Sequence, residues 1–162
     1  MSRLVAIKKL SEIIPIIKTA KRRGMVVVTT NGAFDLLHIG HIRNLEFAKS
    51  LGDMLIVGVN SDSSVRSYKG SRRPIVAEKE RAQMVAALKP VDHVFVFKEK
   101  TPISWIKKLR PDIHVKGKEN RTVVELDALK KVGAKLVLAP FTKGKSSSII
   151  ITKIKEDSLN EI

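Results

Sequence analysis

The stretch Met25-Val26-Val27-Val28-Thr29-Thr30-Asn31-Gly32-Ala33-Phe34-Asp35-Leu36-Leu37-His38-Ile39-Gly40-His41 decides the fold of this chain. Its first six residues are apolar or β-branched and carry no charge, which predicts a strand over 25–30 that is buried on both faces. A turn rich in asparagine, glycine and aspartate follows. From about Gly40 to Leu51 the pattern becomes helical, and Gly52 closes it. A buried strand that passes through a short loop into a helix is the opening of a βαβ unit.

Working outward, the same alternation recurs. Residues 53–60 read as a second buried strand, 78–88 as a helix and 92–97 as a third strand. Thr101 and Pro102 open the next helix as cap and first helical position, and Arg110-Pro111 stops it. Short strands at 113–116 and 135–138 flank a helix near 123–132, and the tail is helical from Ser146. Upstream, Ile13, Ile16, Ile17 and Ala20 form one helical stripe with Ser11 as its N-cap, Pro15 in the first turn and Gly24 as its end. Strands apolar on both faces that alternate with amphipathic helices predict an α/β, Rossmann-like parallel sheet with helices on both faces. The chain is expected to form a single domain over 1–162, with an N-terminal helix in 1–24, an α/β core in 25–145 and a C-terminal helix in 146–162. At this length no second fused domain is expected. Ligands in such folds sit beyond the carboxyl ends of the strands. The polar stretch 61–73, with Arg66, Lys69, Arg72 and Arg73, follows the second strand and reads as a phosphate-gripping loop.

Composition narrows the function. Hydrophobic residues at 43% and charged residues at 29% exclude a disordered chain. The absence of cysteine excludes disulfides, a cysteine nucleophile, iron–sulfur clusters and cysteine-based zinc sites. No apolar run is long enough to cross a bilayer, and the first residues lack the pattern of a signal peptide, so a cytoplasmic protein without a membrane partner is expected. A net charge of +15, from 31 basic and 16 acidic residues, attracts polyanions. It suits either an enzyme for nucleotides and sugar phosphates or, as the alternative from another class, a nucleic-acid-binding protein. Aromatic residues make up only 4%, which provides few stacking platforms and favours the enzyme over a nucleic-acid partner.

His38 and His41 flank Gly40 where the first βα turn enters its helix. Free amides and the helix dipole favour phosphate there, and imidazoles can donate to an α-phosphate whose charge grows during in-line displacement. Neither a Walker lysine loop nor a G-x-G-x-x-G turn is present. A His-x-x-His pair could instead share a zinc ion, but only His93 and His114 remain as further histidines and no H-E-x-x-H exists, so no metal ligation by the chain is expected. Asp35 reads as a structural carboxylate, because attack by an ionised phosphate needs no general base.

Gly32-Ala33-Phe34-Asp35-Leu36-Leu37-His38-Ile39-Gly40-His41 resembles the signature of the cytidylyltransferase-like nucleotidyltransferases. Further blocks, among them Gly58-Val59-Asn60-Ser61-Asp62, Lys69-Gly70, Arg73-Pro74-Ile75 and Lys116-Gly117, resemble the branch of that family that adenylylates heptose 1-phosphate. The resemblance implies adenylyl transfer from ATP to a sugar 1-phosphate with release of pyrophosphate, with Mg²⁺ bound through the nucleotide phosphates, in a homodimer. A cytidylyltransferase acting on glycerol 3-phosphate or a similar alcohol phosphate is the alternative within the family. By the same resemblance, His38 and His41 stabilise the α-phosphate in the transition state. Asn31, Gly32, Ala33, Phe34 and Gly40 border the nucleotide cleft, Lys116 and Gly117 the base and ribose, and Ser146, Ser147 and Ser148 the outer phosphates. Lys69, with Arg66, holds the acceptor phosphate. The chain departs from the family in Ala33, where cysteine is usual, in three serines where Ser-Thr-Thr is usual, and in Lys118-Glu119-Asn120. Residue by residue, blander readings stand beside these: Lys69 as a solvated lysine, the serines as an N-cap, and Lys116-Gly117 as the end of a strand.

Overall fold

A computed structural model describes residues 7–117, 123–140, 142, 144 and 146–160, the side chains of 158–160 excepted. Helix α1 (Leu10–Arg22) precedes strand β1 (Val27–Gly32), which leads into α2 (Ile39–Ser50) and β2 (Met54–Asn60). Two helices, α3 (Asp62–Lys69) and α4 (Glu78–Ala86), separate β2 from β3 (His93–Phe97). The chain continues through α5 (Ile103–Leu109), β4 (Ile113–Gly117), α6 (Leu126–Val132), β5 (Lys135–Ala139) and α7 (Ser147–Asn160).

The strands form one parallel sheet in the order β3-β2-β1-β4-β5, so the winding reverses between β1 and β4. This is the expected Rossmann-like arrangement. Successive strand residues face opposite sides, and the two cores follow that alternation. Val28, Leu55, Val57 and Val94 pack with Leu45, Ala48 and Val85 of α2 and α4. Val27, Ile56 and Phe95 pack on the other side with Ile13, Ile17, Trp105, Ile106 and Leu129 of α1, α5 and α6. Trp105 meets the Phe95 ring edge-on at 5.3 Å and 83°, a favourable geometry for two aromatic quadrupoles. Gly52 is required where α2 turns into β2, because a Cβ there would lie 2.7 Å from the Val28 side chain and 2.8 Å from the Val26 carbonyl.

Local differences from the sequence reading have local causes. The stretch 61–73 is not simply a loop. Ser61 accepts from the Ser64 amide at 3.1 Å and caps α3, so short polar residues that suggest a loop begin a helix instead. Ser11 lies inside α1, whose N-cap is Lys9. The Glu12 carboxylate reaches back to the Lys9 amide at 2.7 Å, a service more often paired with a serine or threonine cap. Pro102 is the N-cap of α5 rather than its first residue.

Candidate functional site

The order reversal between β1 and β4 opens a crevice at the carboxyl ends of those strands. A cleft of about 550 Å³ lies there. Asn31 to Asp35, His38, Gly40 and His41 contribute from the β1–α2 turn, Tyr68 and Lys69 from α3, and Lys116 and Gly117 from β4. Ser146, Ser147 and Ser148 close it at the start of α7. Every site residue expected from the sequence lines this cleft except Arg66, which is exposed and not part of its wall. Arg66 precedes Lys69 by three positions on α3, and this helix turns only one of the two cations toward the cleft. Lys118, Glu119 and Asn120 lie outside the described residues.

The β1–α2 turn is held by buried contacts. Phe34 adopts a left-handed φ of 49°, uncommon for a residue with a side chain, and its ring packs 5.2 Å from that of His41. Asp35 is buried and accepts from Arg73 Nε at 2.7 Å and from the Ile75 and Val76 amides at 2.8 and 3.0 Å. Its lone pairs are thus committed to the chain, as a structural carboxylate requires. Arg81 is fully buried and donates to the carbonyls of Ala33 and Val76 and to Asp62. The two residues tie the turn to the segment that follows Lys69. Arg81 is not distinguishable from other helix arginines in the sequence, because only the fold buries it.

The His38 imidazole caps α2: its Nδ1 accepts from the Gly40 amide at 3.1 Å, which places the proton of the neutral ring on Nε2. The His41 amide donates to the His38 carbonyl at 2.9 Å. The amides expected to be free for phosphate are therefore already engaged at Gly40 and His41. What the turn offers is imidazole. The two rings stack, with centroids 3.9 Å apart and planes 28° from parallel. Burial, then the neighbouring His38 and Lys69, lowers the His41 pKa to about 4. Its Nδ1 is buried and has no hydrogen-bond partner among the described residues, an uncommon and costly condition for such an atom. Burial and Arg73 hold Lys69 below the usual lysine range, against the opposing pull of Asp35. Among the described residues it forms no ion pair, in contrast to Lys21, Lys49 and Lys116.

Ser147 donates to the Leu36 carbonyl at 2.9 Å and fastens α7 to the β1–α2 turn. The Ser146 hydroxyl accepts from the Ile149 amide at 3.2 Å as a helix cap. Among these serines, capping and cleft lining coincide. Asn44, Asn60, Tyr68, Lys100 and Thr101 also line the cleft. Asn44 follows His41 by three positions, so helical spacing could have pointed to it; the others come from the end of β2, from α3 and from the segment after β3, whose convergence only the fold creates.

A parallel sheet with a His-x-Gly-His turn and a lysine at its switch point defines a nucleotidyltransferase-type domain. The cytidylyltransferase-like family model matches residues 29–153, and the chain belongs to that family. It is 45% identical over 157 residues to the bifunctional protein HldE of Geotalea uraniireducens, covering 96% of this chain and 32% of that protein. With the bifunctional protein HldE of Campylobacter fetus the identity is 49% over 138 residues, covering 83% and 29%. The chain thus spans about a third of the length of these relatives. The crystal structure of the lipopolysaccharide core biosynthesis protein from Thermoplasma volcanium is 32% identical, with a TM-score of 0.65 over 74% of this chain and 100% of that one. Among the described residues no helix is long and apolar enough to cross a membrane.

Proposed function

We propose that the chain acts as one adenylyltransferase domain, transferring AMP from ATP to a sugar 1-phosphate, D-glycero-β-D-manno-heptose 1-phosphate, to give ADP-heptose and pyrophosphate. The observation that carries this reading is the stacked His38–His41 pair at the switch point, with a buried His41 nitrogen that has no hydrogen-bond partner and a Lys69 that forms no ion pair among the described residues, both in the same cleft. The likeness to HldE proteins and to a lipopolysaccharide core biosynthesis protein supports the sugar acceptor.

An ionised oxygen of the acceptor phosphate attacks the α-phosphorus of ATP in line, a new P–O bond forms, and the bond to the β-phosphate oxygen breaks to release pyrophosphate. His38 and His41 donate to the non-bridging α-phosphate oxygens, where charge builds as phosphorus becomes five-coordinate. Lys69 holds the acceptor phosphate as a point charge. The start of α7 at Ser146 to Ser148 receives the outer phosphates. Asn31, Gly32, Ala33 and Phe34 border the nucleotide, and Lys116 and Gly117 face its base and ribose. Among the described residues no three His, Cys, Asp or Glu side chains cluster as a metal site. Mg²⁺ carried on the substrate's own phosphate oxygens would supply neutralisation of the leaving-group charge. The enzyme is proposed to work in the cytoplasm as a homodimer, which size-exclusion chromatography with light scattering would test.

The deciding experiment is a matrix of nucleoside triphosphates against phosphorylated acceptors, read by pyrophosphate release. ATP with heptose 1-phosphate is expected to turn over fastest. Equal or faster turnover with CTP and glycerol 3-phosphate would replace the heptose reading with the cytidylyl one.

A further inference from the structure

A second cluster of charge adjoins the cleft, on β4 and at the start of α6. Lys116 Nζ lies 2.6 and 2.8 Å from the two oxygens of Glu125, whose side chain is completely buried. Behind it, Glu125 Oε1 lies 3.6 Å from Nε2 of the fully buried His114, and His114 Nδ1 is 2.9 Å from the Thr29 hydroxyl. Burial lowers the His114 pKa against the pull of Glu125, so the ring is neutral. The nearby carboxylate favours the tautomer with its proton on Nε2, which leaves Nδ1 to accept from Thr29. Burial pushes the Glu125 carboxyl up, but the pull of His114 Nε2, 3.6 Å away, and of the Lys116 hydrogen bonds wins and brings it down to about 2. Glu125 is therefore anionic and braced from behind by a residue of β1's neighbour.

A buried ion pair is a poor device for stability, since desolvating two charges offsets most of their attraction. Its use here is geometric. An ammonium has three donors, and the two carboxylate oxygens occupy two of them. Only 15% of the Lys116 side chain is exposed, and the residue lines the cleft. One N–H is thus left for a ligand. A lysine whose charge is already cancelled by a carboxylate attracts phosphate weakly, whereas Lys69 in the same cleft has no such partner among the described residues.

We propose that Glu125 is a positioning residue that orients Lys116 so that its remaining N–H serves an uncharged acceptor on the nucleoside, a ring nitrogen or a ribose oxygen, rather than a phosphate. This rests on the nucleotide-binding reading above and adds a residue to it. Glu125 acts only through Lys116, so its effect on nucleotide binding disappears once Lys116 is gone.

The test is a double-mutant cycle on the full chain, with ATP and inorganic tripolyphosphate as separate probes in titration calorimetry, so that neither acceptor nor turnover is involved. Lys116→Met is expected to weaken ATP about 10-fold, the loss of one directed hydrogen bond, and to change tripolyphosphate affinity less than about 2-fold. Glu125→Gln should weaken ATP by a similar factor in the wild-type background and by less than about 2-fold in the Lys116→Met background. If the glutamine variant is unfolded at the assay temperature, Glu125→Asp, which retracts the carboxylate by one methylene, takes its place in the cycle. Equal effects in both backgrounds, or a loss of tripolyphosphate binding as large as that of ATP, overturn the proposal while leaving the nucleotidyltransferase reading intact. Failure of the wild-type chain to bind ATP overturns both.

Discussion

The two ends of the sheet use the same side-chain chemistry to opposite effect. At the amino ends of the strands, each carboxylate is spent on the chain itself. Asp53 accepts from the Val26 amide at 2.8 Å, Asp92 from the Leu55 amide at 2.7 Å and from Lys49 at 2.5 Å, and Asp112 from the Val27 amide and Lys21, both at 2.8 Å. The first amides of a parallel strand lack partners, and an aspartate just before the neighbouring strand supplies one. At the carboxyl ends the balance is left open. Among the described residues His41 keeps a buried nitrogen without a partner, and Lys69 lies beside Arg73 and forms no ion pair. The one carboxylate buried in the β1–α2 turn, Asp35, is committed to Arg73 and two amides. The amino ends close on the chain's own amides, whereas the carboxyl ends hold a buried His41 nitrogen without a partner among the described residues.

Removing the open-end donor should break catalysis with little effect on folding. His41→Ala is expected to lower kcat on the order of 100- to 1000-fold in the pyrophosphate-release assay, with a much smaller change in ATP affinity, because the donor acts on charge that develops only in the transition state. His38→Ala should behave similarly. The double variant should lose less than the product of the single effects, since both imidazoles serve one phosphate. Near-wild-type kcat in both single variants, with circular dichroism unchanged, would assign the stacked histidines to packing.

Lys69→Ala should fall next in size. Loss of one charged hydrogen bond costs about 1.5 to 3 kcal/mol, roughly 10- to 150-fold in kcat/KM for the acceptor, expressed mainly in KM. A variant equal to wild type for both substrates at low salt returns Lys69 to the solvated surface.

At the closed end the expected pattern inverts. Asp112→Asn should lower stability by about 1 to 2 kcal/mol in urea, since it weakens a bond to the Val27 amide and removes the ionic partner of Lys21. Its kcat should remain within about 2-fold of wild type. A large kcat defect with unchanged stability would mean that the two ends are not independent.

The smallest effect is a titration. In the free chain His41 should titrate near pH 4 by NMR, and ATP should move that midpoint upward as its phosphates favour the charged ring. The sign for stability follows. Below about pH 6.5 an unfolded His41 takes up a proton that the folded chain refuses until about pH 4. Its contribution to stability is therefore intact above the unfolded value and declines as pH falls through this window.

The sequence alone determined the alternation of buried strands and amphipathic helices, because an all-apolar strand admits no half-exposed sheet and residues such as Gly24, Gly52 and Pro111 break the pattern at definite points. It also made the β1–α2 turn legible as a candidate site, because the glycine, the two histidines and their spacing are local. Tertiary structure decided the rest. It turned Lys69 into the cleft and left Arg66 outside it, committed the Gly40 and His41 amides to His38, and buried Arg81 against the Ala33 carbonyl. It also brought Glu125 of the α6 start against Lys116 of β4. Those outcomes depend on helix orientation and on contacts between segments far apart in the chain, and no single-residue propensity or local spacing encodes which of two similar cations a neighbouring element will neutralise.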